Sequence, residues 1–110
     1  MVADQRTWTI LEDGGDAPNM IEVVAGTHDA NYAVSFANIL DTGETLSSVT
    51  SVAVVSGSAM TIGAGTVDTA TTGVEFVITH NANIGERKIQ VIADTSENNT
   101  LIGQALLVIV

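Results

Sequence analysis

The chain has no cysteine. That excludes a disulfide framework and any thiolate metal site, and it fits folding in a reducing cytoplasm. Aromatic residues make up 4% of it: one tryptophan, one tyrosine and two phenylalanines. So few rings cannot line a sugar-binding platform. Three basic residues stand against thirteen acids, for a net charge of −10. Phosphates are held by Lys and Arg, so this balance argues against nucleic-acid binding through a basic surface. The longest strongly apolar run is Ala105 to Val110, far below the ~20 residues of a membrane-spanning helix. The N-terminus carries Asp4 and Arg6 and lacks the apolar core of a secretory signal. No membrane partner is expected.

What is present points to strands. Hydrophobic residues reach 45%, yet apolar positions at three-four spacing never persist beyond a turn. They alternate instead, as a strand with one buried face requires. A chain of 110 residues sets one domain with one core as the expectation.

The stretch Tyr32 to Val55 organises the reading. Tyr32, Val34 and Phe36 alternate with Ala33, Ser35 and Ala37; Asp41-Thr42-Gly43 breaks the pattern; Leu46 to Val55 resumes it. Before it come a strand at Thr7–Leu11, a loop at Glu12–Asn19 holding the single proline, a strand at Met20–Ala25 and a turn at Gly26–Asn31. After it come a short strand at Ala59–Ile62, a break at Gly63-Ala64-Gly65, and a polar edge strand or extended loop at Thr66–Thr72. A strand carrying Val74, Phe76 and Ile78 then ends near His80. The last pair is Arg87–Asp94, with Ile89, Val91 and Ala93 on one face, and Leu101–Val110, weakened near Gly103. Thr95–Thr100 joins them as a hairpin tip, where Asn tolerates positive φ. Seven or eight short strands at regular spacing predict a two-sheet antiparallel sandwich.

The chemistry-bearing residues read mostly as structure. Glu12-Asp13-Gly14-Gly15-Asp16 offers carboxylates to a hard cation, but it lacks the alternation and closing Glu of a calcium loop. No metal or other cofactor is expected. Gly63-Ala64-Gly65 has no following Lys-Ser/Thr and is a turn, not a phosphate loop. His28 and His80 are expected at strand ends on the surface. Asp41 and Glu44 flank one tight turn and form no glycosidase cleft. Asn98-Asn99-Thr100 fits a glycosylation sequon but reads as the hairpin tip. No catalytic residues are assigned, and the chain is not read as an enzyme. Trp8 has two readings, core packing or an anchor at an interface, where tryptophan is enriched.

The segments Tyr32-Ala33-Val34-Ser35-Phe36 and Leu40-Asp41-Thr42-Gly43-Glu44-Thr45-Leu46-Ser47-Ser48 resemble the immunoglobulin-like domains of tailed-bacteriophage structural proteins. The likeness covers roughly residues 30–110. Two departures are Val52-Ala53-Val54, where the family commonly has tryptophan, and the segment before residue 30. The resemblance implies an immunoglobulin-like β-sandwich domain at 30–110. Residues 1–29, with six acids against Arg6, would be an acidic arm or extra strands. It implies a virion structural protein, made in the host cytoplasm, that decorates and stabilises the outside of a capsid. The partner would be the major capsid protein, and the protein a homotrimer. The partner-binding residues expected on the N-terminal segment are Trp8, Ile10, Glu12, Asp13, Asp16 and Met20. If these ends are those of the whole protein, it is free-standing rather than a module of a fibre. The alternative is a tail- or fibre-associated adhesion module binding host-surface carbohydrate.

Overall fold

A computed structural model describes residues 6–81 and 83–110. Among them nine strands form and no helix: β1 (Arg6–Thr9), β2 (Asp16–Val23), β3 (His28–Ser35), β4 (Leu46–Ser56), β5 (Thr61–Ile62), β6 (Thr66–Val67), β7 (Gly73–His80), β8 (Gly85–Thr95) and β9 (Thr100–Ile109). One sheet has the order β1-β3-β7-β5, with β6 also on β7; the other has the order β2-β9-β8-β4. The protein is an all-β two-sheet sandwich, as the alternation predicts.

The sheets are mixed rather than wholly antiparallel. β1 runs parallel to β3, and β2 runs parallel to β9. A period of two fixes which side chains face inward; it carries no information on the direction of the neighbouring strand. Residues 6–23 are therefore built into the sandwich, with β1 edging one sheet and β2 the other. Residues 1–5 of the expected arm, including Asp4, lie outside the described residues.

The Tyr32–Val55 stretch is strand, turn, strand, but its two strands belong to different sheets. Residues 36–45 carry the chain from one layer to the other. Tyr32 and Val34 pair laterally with Phe76 and Val74 of β7, so the opposing layer for them is the β8 face with Ile89 and Val91. Trp8, Tyr32 and Phe76 stack, with ring centres 5.4–6.4 Å apart. Burying side chains of this kind contributes about 1.5–3 kcal/mol each.

Two boundaries differ from the sequence reading. β2 starts at Asp16, so the segment read as a loop to Asn19 is half strand. Its backbone pairs with β9 across an irregularity between Asp16 and Met20. β3 starts at His28, inside the segment read as a turn. Gly103 does not weaken β9. A Cβ there would stand 2.7 Å from Ile10 Cγ1 and 3.1 Å from Phe36 Cε1, so its missing side chain is the space into which the opposite layer packs.

Candidate interaction surface

The six residues expected to bind a partner separate into two groups. Trp8 and Ile10 are 0% exposed, and this corrects their assignment as contact residues. Trp8 alternates inward beside Tyr32, and its Nε1 donates a 3.0 Å hydrogen bond to the Leu106 carbonyl of the opposite sheet. The ring is a tie between the layers and has no surface to offer. Ile10 fills the gap at Gly103.

Glu12, Asp13, Asp16 and Met20 are exposed along the β2 edge. Two of the acids also do structural work. Asp13 Oδ1 accepts from the Ile102 amide at 2.9 Å, and Asp16 pairs with Lys88 at 3.3 Å. Asn19 closes the seam between the sheets on this side: its Nδ2 donates to the Thr7 carbonyl, and its Oδ1 accepts from the Thr9 amide. The opposite seam is closed at Gly65, where a Cβ would stand 2.7 Å from Val52 Cγ2 and 2.8 Å from Val74 Cγ1. Beside β4 a cleft of about 310 Å³ is lined by Val52, Val54, Gly57, Ala59, Met60 and Ile62.

The surface that sequence reasoning missed is the outer face of the β2-β9-β8-β4 sheet. β9 alternates buried and half-buried along its whole length. Leu101, Ala105, Leu107 and Ile109 point into the core, which turns Ile102, Leu106 and Val108 outward. Register then places Met20 beside Leu106 and Ile92 beside Ile102 on the same face. Met20 is 56% exposed. Outward positions of a two-layer sandwich are ordinarily polar. The face is mixed: Gln104 lies between Ile102 and Leu106, Gln90 and Lys88 stand beside Gln104 and Leu106, and Asp16, Glu22, Glu86 and Asp94 share it. Apolar positions set among polar ones are the composition of many interaction sites. The signal was in the sequence: Ala105 to Val110 is apolar at every position, not at alternate ones.

His80, Glu44 and Arg87 are all buried. His80 is 1% exposed, the correction to its reading as a surface histidine. Its Nε2 and the Tyr32 hydroxyl share a 2.7 Å hydrogen bond, while Nδ1 has no partner. Its ring stacks on exposed His28 at 4.6 Å. Burial first, then the neighbouring His28 and Arg6, push the His80 pKa down. Burial raises that of Tyr32, against the opposing pull of Arg6, whose guanidinium lies 5.6 Å from the ring centre.

Glu44 is the second. The turn at Asp41 and Gly43 forms, with Gly43 at φ 81°, but Glu44 folds beneath it at 5% exposure. Its Oε2 accepts from Thr95 Oγ1 at 2.6 Å and Asn99 Nδ2 at 2.8 Å; Oε1 accepts from the Asp41 amide at 2.9 Å. The Thr95 hydrogen bond, followed by those from Asp41 and Asn99, holds its carboxyl below the usual range. Asp41, Glu44 and Glu97 bring carboxylate oxygens within 4.8 Å of one another. Both oxygens of Glu44 are already committed to fastening this turn to the β8–β9 hairpin, so the cluster reads as a structural clasp. Arg87, at 2% exposure, is the third.

No protein-family model matches the chain, and no curated protein matches its sequence.

Proposed function

We propose that this protein is a non-enzymatic virion structural protein that binds the outside of a phage capsid lattice, as a homotrimer, and stabilises it. The observation that carries this reading is the outer face of the β2-β9-β8-β4 sheet, where Met20, Ile92, Ile102, Leu106 and Val108 stand among Gln90, Gln104, Lys88 and several acids. A face of that composition favours association with another protein surface. The occupant, the major capsid protein, comes from the resemblance of residues 30–110 to phage structural domains. A protein that binds only the assembled shell shifts the equilibrium toward the shell by its binding free energy. The carbohydrate-binding alternative has less support. Trp8 and Tyr32, the rings a sugar would stack on, are both 0% exposed.

The test pairs virion stoichiometry with one surface variant. Purified particles should carry the protein in many copies distributed over the capsid. Leu106→Asp, at a half-buried outward position, should fold and yet fail to bind capsids lacking the native protein. Particles carrying only a few copies at the tail would overturn the reading, as would undiminished capsid binding by a folded Leu106→Asp.

A further inference from the structure

Three cations serve thirteen acids in this chain. Lys88 pairs with Asp16, and Arg6 lies over the Tyr32 ring. Arg87 is different. It occupies the inward face of β8, one step before Ile89, Val91 and Ala93, and is 2% exposed. Its Nη1 donates to the Glu86 carbonyl at 3.3 Å. Its Nε and Nη2 have no hydrogen-bond partner.

Those two nitrogens share one edge of the guanidinium. Their parallel N–H groups match two oxygens of a carboxylate or phosphate, the bidentate geometry that sets Arg apart from Lys. Backbone walls hold the side chain in place. A Cβ at Gly57 would stand 3.0 Å from Arg87 Cδ and 2.3 Å from the Glu86 carbonyl oxygen, and one at Gly85 would stand 3.0 Å from Nη1. Gly57 also lines the open cleft beside β4. A guanidinium keeps its charge when buried. Buried without a counter-charge, it destabilises the fold relative to an apolar side chain of similar volume. A partner anion removes that penalty.

We propose that Arg87 is an oxyanion-binding residue, taking a carboxylate or phosphate on its Nε–Nη2 edge at the Gly57–Gly85 end of the sandwich. The site is independent of the capsid reading, since it lies on the inner face of the sheet whose outer face would meet the lattice.

The experiment is thermal unfolding at constant ionic strength, with chloride replaced stepwise by inorganic phosphate or acetate. Wild-type Tm should rise by several degrees with the logarithm of anion concentration. Arg87→Met should be flat, and in chloride alone at least as stable as wild type. Arg87→Lys, which keeps charge but loses the fork, should bind at least tenfold more weakly. The wild-type Arg87 Nε–H resonance, followed by NMR through the same titration, gives a readout that needs no variant. If the carboxylate comes from a second copy of the chain, wild type in chloride is more highly associated than Arg87→Met, and phosphate removes the difference. Equal Tm rises in wild type and Arg87→Met would overturn the proposal. So would an unmoved Nε–H resonance in a wild type whose state of association is the same as that of Arg87→Met.

Discussion

The Glu44 carboxylate accepts a 2.6 Å hydrogen bond from the Thr95 hydroxyl. The bond fastens the crossing between the sheets to the β8–β9 hairpin. The folded pKa of Glu44 is depressed, so its contribution to stability is present above the ordinary value of 4.5. It is lost as pH falls through the folded value. Glu44→Gln should lower Tm at neutral pH and show a shallower loss below about pH 4.5 than wild type does. Parallel acid limbs in the two proteins would count against the clasp.

His80 acts in a higher pH window. Its folded pKa also lies below the ordinary 6.5, so the unfolded chain takes up a proton that the folded chain resists. Stability should be full above about pH 6.5 and fall as pH drops toward the folded value. His80→Gln keeps a polar group opposite the Tyr32 hydroxyl and does not titrate. Urea unfolding should show wild type losing stability as pH falls below about 6.5, with the variant nearly flat. An equal fall in both would assign the effect to another group.

The core prediction concerns Phe36, Ile10 and Gly103. Phe36 is 0% exposed, so Phe36→Ala should cost about 3–5 kcal/mol. Gly103→Ala places a methyl 2.7 Å from Ile10 Cγ1 and should cost about 1–3 kcal/mol through overpacking. Adding Ile10→Val should recover part of that loss, a coupling that chemical denaturation in a double-mutant cycle would measure. Additive effects would show that the two side chains do not meet.

Thr71 has φ 60°, a conformation that disfavours β-branched residues. Its amide donates to the Asp68 carbonyl, and its carbonyl accepts from the Leu46 amide, so the surrounding turn holds it there. Thr71→Asn should raise stability by about 1 kcal/mol, because Asn tolerates this region. A lowered Tm would show that the threonine side chain outweighs the backbone strain.

Much of the architecture was legible. Val74, Phe76 and Ile78 face inward, as do Ile89, Val91 and Ala93. Asn98 takes the positive φ expected of the hairpin tip, at 63°. The buried polar residues were missed for a shared reason. His80 extends the series 74, 76, 78 by one step; Arg87 precedes 89, 91, 93; Glu44 precedes Leu46 in the same rhythm. Periodicity pointed each of them inward, while polarity argued for the surface. The parallel pairings of β1 and β2 left no local signature, because each partner lies far along the chain. Trp8 carried both of its readings in the sequence, and only the position of β1 against β3 decides between them.

The parallel pairing of β2 with β9 has a consequence for biosynthesis. Residues 16–23 leave the ribosome well before their hydrogen-bonding neighbour, residues 104–109. The four-stranded layer cannot close until β9 has emerged, so folding waits on distant contacts. In that interval the apolar strands are unshielded and prone to aggregate. The yield of native protein should therefore depend on synthesis rate and chaperone supply more than on its final stability.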